Sequence, residues 1–200
     1  PAAAMEGPYI AVDSYTPANV PCNEEQTMSM TFKNVGAAAT TGTTNVVLTC
    51  DNSDLTIVDG TGSFGALAQD ASVTLTDEFS FIVAAGVADN TKIQIDVTAT
   101  CGSNVWTGKA MVTVGAPIIE FAGMQWAGVY EPGETYPVVA NFHNKGHYMA
   151  NNAEVAIAST SNYVTFQSTT CPVGTVGVDS NGTAVFYVTV DASCPPTEQI

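Results

Sequence analysis

Two histidines, five cysteines and one loop crowded with carboxylates and amides are the groups in this chain from which chemistry could be built. His143 and His147 stand four residues apart, the spacing that brings two imidazoles onto one metal when the backbone is helical. Here Gly146 intervenes and the segment reads as a strand running into a turn, so the rings diverge and the pair reads as surface histidines beside a turn. A thiol–imidazole dyad of Cys22, Cys101 or Cys171 with either histidine would need a base within reach and a third group to orient it. The local sequence supplies neither. Asp51-Asn52-Ser53-Asp54, with Asp59 nearby, offers oxygen ligands of the kind calcium takes. It lacks the Asp-x-Asp-x-Asp-Gly spacing and closing Glu of a calcium loop, and reads as solvated turn residues. Gly60-Thr61-Gly62 opens no helix and carries no phosphate reading, while Asn181-Gly182-Thr183 matches a glycosylation sequon. No catalytic, cofactor-binding or metal-ligating residue is therefore assigned, and no enzymatic activity is expected.

Aromatic side chains offer binding chemistry instead. Trp106, Trp126, Tyr130 and Tyr163 could stack on pyranose faces. The parity of its strand makes Trp106 a core residue, whereas Trp126 and Tyr130 flank Ala127-Gly128 near the start of the second half and remain the candidates for a ligand-facing surface.

The elements that must position these groups are strands. Met28, Met30 and Phe32 alternate with Thr27, Ser29 and Thr31; Ile93, Ile95, Val97 and Ala99 alternate with Gln94, Asp96 and Thr98. Trp106, Ala110, Val112 and Val114 line one side of a further strand, as do Ala184, Phe186, Val188 and Val190 later on. Turn-formers separate them at Asp59-Gly60-Thr61-Gly62, Gly86-Val87-Ala88-Asp89-Asn90 and Asp179-Ser180-Asn181-Gly182. No stretch has a helical period. The expected fold is all-β, two stacked sheets per module.

The chain also repeats itself. Met28-Ser29-Met30-Thr31-Phe32-Lys33-Asn34-Val35-Gly36 returns in register as Val138-Val139-Ala140-Asn141-Phe142-His143-Asn144-Lys145-Gly146, and Pro8-Tyr9-Ile10 returns as Pro117-Ile118-Ile119. A period of about 110 residues is that of a whole small domain. The expected organisation is a linker at 1–6, one module at 7–115 and a second at 116–200, joined near Gly115-Ala116-Pro117 in an extended arrangement. The second copy stops near the position of Ile93 or Ile95, so its last hairpin is missing or substituted, which leaves a sheet edge open unless another segment covers it. A fragment of a longer polypeptide is expected.

Parity turns Cys50 and Cys101 inward, where a core disulfide and free buried thiols fit equally well. Cys171 and Cys194, read as loop residues, make the better pair, and Cys22 is left over. No two of the five cysteines make a C-x-x-C pair, which removes the main support for zinc-ribbon and thioredoxin-like readings. Charge excludes more. Nineteen acidic residues face four lysines and no arginine, for a net charge of -15. Phosphate neutralisation needs a cationic footprint that cannot be assembled here, so nucleic acid is not an expected partner, and no run of about 18 apolar residues suggests membrane insertion.

Phe32-Lys33-Asn34-Val35-Gly36 followed by Thr44-Asn45-Val46-Val47-Leu48, and Pro132-Gly133-Glu134 leading into Phe142-His143-Asn144-Lys145-Gly146 and Asn152-Ala153-Glu154-Val155, resemble the CARDB-type bacterial immunoglobulin-like modules. The long connection after Asn-x-Gly is similar to the segments that follow the catalytic domain of gingipain-like secreted cysteine peptidases. Cys22-Asn23-Glu24 replaces the Pro-Gly-Glu turn in the first copy. The resemblance implies two tandem immunoglobulin-like β-sandwiches in a secreted or cell-surface bacterial protein. Their role would be spacing or docking beside other domains of the parent polypeptide, with an extracellular protein or a glycan as further partner. The strand-ending Asn and Gly would supply a side-chain cap and a left-handed residue.

Overall fold

The computed structural model describes residues 6–126 and 129–195, which are all-β without a helix. Residues 1–5 of the expected linker at 1–6, the Ala127-Gly128 pair and the end of the second module at 196–200 lie outside the described residues. The chain divides into two compact units, Pro1–Gly115 and Ala116–Ile200.

The described residues of unit 1 form nine strands. β1 (Ile10–Thr16), β3 (Glu25–Asn34), β7 (Ser72–Val83) and β5 (Leu55–Asp59) form one sheet in the order β1-β3-β7-β5. The second sheet runs β2 (Asn19–Val20), β9 (Asn104–Val114), β8 (Lys92–Cys101), β4 (Thr44–Thr49), β6 (Thr61–Phe64). All pairs are antiparallel except β2 with β9. Alternation makes each sheet one-sided: Met28, Met30, Phe32, Phe79 and Phe81 from the first meet Val46, Ile93, Ile95 and Val97 from the second in one core. Burying side chains of this size is worth roughly 1.5–3 kcal/mol each.

Unit 2 repeats the first sheet and part of the second. β10 (Ile119–Trp126), β11 (Thr135–Asn144), β15 (Asn181–Val190) and β13 (Val164–Phe166) form a sheet in the order β10-β11-β15-β13. β12 (Ala150–Ala156) and β14 (Thr170–Val176) form the other. The correspondence reaches single residues. Val12 opposes Phe32 and Tyr15 opposes Met30 across a bulge, and Phe121 opposes Phe142 and Met124 opposes Ala140 across a bulge in the same place. Nothing among the described residues of unit 2 matches β8 and β9.

One knot explains the repeated Asn-x-Gly. Asn34 is fully buried; its Oδ1 accepts the Tyr9 and Gly36 N–H groups, both at 3.1 Å, and its Nδ2 donates to Ala38 O at 2.8 Å and Leu67 O at 3.1 Å. Asn144, equally buried, accepts from Ile118 and Gly146 N–H, both at 3.0 Å, and donates to Tyr148 O at 2.8 Å and Val176 O at 3.2 Å. Each amide ties the entering strand, its own strand end and a returning loop together, satisfying backbone groups no ladder could reach.

The glycines work differently from the expectation. Neither Gly36 nor Gly146 is left-handed. A Cβ on Gly36 would overlap the Gly7 carbonyl and the Tyr9 amide, and one on Gly146 would overlap the Ala116 carbonyl and the Ile118 amide. Close backbone approach excludes a side chain there. Asp59-Gly60-Thr61-Gly62 likewise contains no positive φ; it is a tight link from β5 into β6. Gly86, Asn90 and Asp179 do adopt positive φ.

The expected disulfides do not form: none of the five cysteines is disulfide-bonded. Cys50 and Cys101 share a sheet but sit at opposite ends of the β4–β8 ladder, since Thr49 pairs with Asp96 while Asn45 pairs with Thr100. At ~3.4 Å per residue they are roughly 20 Å apart, far outside the ~4.4–6.8 Å a bridge needs. Cys171 is a strand residue of β14 opposite Val155, not a loop residue, and Cys194 is buried in the turn after β15.

Candidate functional site

Unit 2 carries an open apolar cleft of about 180 Å³ between its larger sheet and the segment leaving β12. Strand alternation builds the floor: Met124 and Trp126 come from β10, Val138 from β11, Val188 from β15, Val164 and Phe166 from β13. Ile157, Ala158 and Ser159 form the opposite wall, and Tyr130 closes one end.

Tyr130 sits edge-on to Tyr136, ring centroids 4.8 Å apart, and edge-on to Trp126 at 6.5 Å, within the range of favourable aromatic pairs. The Tyr136 hydroxyl accepts the Glu131 N–H at 2.8 Å, which fixes the ring beneath Tyr130. The Tyr130 Oη is buried with no hydrogen-bond partner among the described residues. Burial, then the neighbouring Tyr136, raises the Tyr130 pKa and keeps its phenol protonated. Trp126 is 58% exposed on the rim. The arrangement can bury an apolar or stacking group and offer it the hydroxyls of Tyr130 and Ser159. No His, Cys, Asp or Glu is among the described residues that line it.

The sequence candidates scatter. His143 in β11 bonds through Nδ1 to Asn181 Oδ1 at 2.9 Å and through Nε2 to Asp179 at 3.1 Å, while His147 stands exposed in the following turn. The Asn181 of the sequon is thus a strand residue occupied with His143. Asn52 Oδ1 accepts the Asp54 N–H, and Asp59 Oδ1 accepts from Thr61, so these two side chains serve local turns. No group of His, Cys, Asp and Glu among the described residues is placed to hold a metal ion. The Cys22 thiol donates to Val87 O at 3.6 Å, and burial raises its pKa. Cys50 points at Gln94 O, 3.3 Å away. Trp106 is buried in the unit 1 core, and Tyr163 lies outside the cleft. Of the aromatic candidates the structure brings together Trp126 and Tyr130. Met124, Val164, Phe166 and Ile157 escaped sequence reasoning, because alternation marks such residues only as core and cannot say that the facing sheet is short.

No family model and no curated protein matches the chain significantly. Among solved structures it is similar to a Porphyromonas gingivalis W83 protein of unknown function, at 11% identity over 89% of this chain and 82% of that one, TM-score 0.32. It is also similar to the native conformation of Escherichia coli alpha-2-macroglobulin, at 13% identity over 98% of this chain but 16% of that one, TM-score 0.36. Red sea bream transglutaminase matches at 9% identity over 91% of this chain and 27% of that one, TM-score 0.38.

Proposed function

We propose that the chain is a pair of tandem immunoglobulin-like β-sandwich modules of the CARDB type. They act as non-catalytic spacer and interaction modules of a larger secreted or cell-surface bacterial protein, beside a gingipain-like peptidase domain. The observation that supports this most is the repeated Asn34 and Asn144 knot, one strand junction built twice from the residues that carry the family resemblance. A spacer needs rigid, self-contained strand junctions and no chemistry. The candidate reactive groups in turn serve structure, with His143 bonded to Asn181 and Asp179 and Cys22 to a backbone carbonyl. The test is peptidase and glycosidase assay of the purified chain. Turnover abolished by a single Cys22, Cys171 or His143 substitution would overturn the reading.

The cleft favours a second reading, an adhesion module that binds a glycan or a host protein through Trp126 and Tyr130. Glycan-array signal lost in Trp126→Ala would establish it, and signal unchanged by that substitution would end it.

A further inference from the structure

We propose that unit 1 is built to bear tension: the segment from Val12 to Val20 and the last strand, β9, form a shear clamp that resists pulling on the two ends of the unit. The proposal rests on the spacer reading, since only a module tethered on both sides is pulled.

The partners along the clamp ascend together. Val12 meets Gly108, Tyr15 bonds to Met111, Asn19 pairs with Thr113 and Val20 with Val114. Both sets of numbers rise, so β1 and β2 run alongside β9 in the same direction, although the ladders on either side, β1 with β3 and β8 with β9, are antiparallel.

That shared direction decides how force is carried. The chain enters ahead of Ile10 and leaves unit 1 at Gly115, at opposite ends of the parallel pair. Tension from both sides therefore draws the two segments past each other along their length, across the bonds between them. Those bonds run from Tyr15 Oη to the Met111 N–H at 2.9 Å and the Met111 carbonyl at 3.1 Å, from the Thr113 N–H to Ala18 O at 2.7 Å, and from the Gly115 N–H to Val20 O at 2.8 Å. They share the load, and a slip of one residue, about 3.3 Å, breaks them together. A hairpin pulled at its open ends yields one rung at a time instead.

Side chains hold the same register. A Cβ on Gly108 would meet Val12 Cγ2 at 2.7 Å, so the missing side chain leaves a notch in which Val12 sits. Ile10 and Val20, near the two ends of the segment, are both buried in the unit 1 core. Sliding must lift Val12 out of its notch and draw Ile10 and Val20 out of the core before any new contact forms. Just ahead of the clamp, Tyr9 is anchored by both backbone groups, its N–H on Asn34 Oδ1 and its carbonyl on the Val35 N–H at 2.8 Å. Resistance to force is set by the unfolding barrier. A clamp whose bonds must all fail at once raises that barrier for one direction of pull in particular.

The test is single-molecule force spectroscopy on the full 200-residue chain held by handles at both termini. Unfolding of unit 1 is recognised by the roughly 35 nm of chain that a span of this length releases. In a second geometry the N-terminal handle stays and the other moves to a bioorthogonal residue at Ser103, in the turn before β9. The same bonds are present, but this pull parts β1 from β9 starting at the Val12–Gly108 end, one contact after another. Terminal pulling should need at least about twice the force of the Ser103 geometry at equal loading rate. Tyr15→Phe, which removes two of the clamp's bonds, should raise the unit 1 unfolding rate at fixed terminal force about fivefold. Should that variant not fold, Thr113→Pro serves, because the Thr113 N–H is directed at Ala18 and not at β8. Equal forces in the two geometries would overturn the proposal, as would an unfolding rate that the substitution leaves unchanged. Either result leaves the spacer reading standing, whereas turnover abolished by a single Cys or His substitution would end that reading whatever force the unit withstands.

Discussion

Tyr15 on β1 and Met111 on β9 hold each other twice: the phenol accepts the Met111 N–H at 2.9 Å and donates to the Met111 carbonyl at 3.1 Å. This clasp joins the edge strand of one sheet to the other sheet, which lateral ladders cannot do. Tyr15→Phe removes both bonds and keeps the ring. With the site partly exposed, water takes over some of the loss, so unit 1 should lose about 1 kcal/mol. Urea unfolding that resolves the two units should show the shift in unit 1 alone.

The asparagine knots should be far more sensitive. Asn34→Ala or Asn144→Ala strips partners from several buried backbone groups at once, each costing about 1–3 kcal/mol when orphaned. The expected destabilisation is on the order of 3 kcal/mol or more in the affected unit. Asp at either position keeps the acceptor for the Gly and strand amides but loses both donors and buries a charge, so it should rescue nothing. Because the sites lie in separate units, the double substitution should be additive within ~0.5 kcal/mol in thermal or urea denaturation.

Two glycine classes should separate in the same assay. Gly146→Ala forces a methyl into the Ala116 carbonyl and Ile118 amide, and backbone cannot yield as a flexible side chain can; a loss of about 3 kcal/mol or failure to fold is expected. Gly86→Ala meets open space and suffers only from its φ of +80, a cost of about 1 kcal/mol.

Asp191 gives the acid side of the stability profile. Its carboxylate accepts the Ser193 hydroxyl at 2.6 Å and the Ser193 N–H at 2.8 Å, and these bonds hold its pKa below the usual carboxylate value. A depressed folded pKa contributes stability that is present above the unfolded value and lost as pH falls through the folded one. Ser193→Ala should move the Asp191 titration upward in a carboxyl NMR experiment and flatten that acid-side dependence. An unchanged titration would contradict the assignment.

Strand parity was legible from sequence because one-sided burial needs only period two: Met28, Met30, Phe32, Ile93, Ile95 and Trp106 are all buried where alternation places them. What parity cannot carry is position along a strand. Cys50 and Cys101 both face inward, yet the register sets them at opposite ends of one ladder. The Asn-x-Gly repeat was visible, but its cause was not. The asparagine's partners come from Tyr9 and Leu67, 25 and 33 residues away, and the glycine answers to a backbone that only the fold brings near. In unit 2 the apolar face of β10 and β13 drew no reading from local pattern. Its exposure depends on which strands stand opposite, a long-range property that no local pattern encodes.

The scarcity of cations bears on how the protein meets proteases. An enzyme that cuts after Lys or Arg has four bonds to choose from, following Lys33, Lys92, Lys109 and Lys145. The first three lie within β3, β8 and β9, and Lys145 is bonded through its N–H to Ile118 O beside the Asn144 knot. A protease must draw its substrate out as a free extended segment; the first three sites cannot be drawn out without opening a sheet, and drawing out Lys145 breaks its bond to Ile118. Trypsin digestion should therefore report global or sub-global unfolding of each unit, not loop fraying.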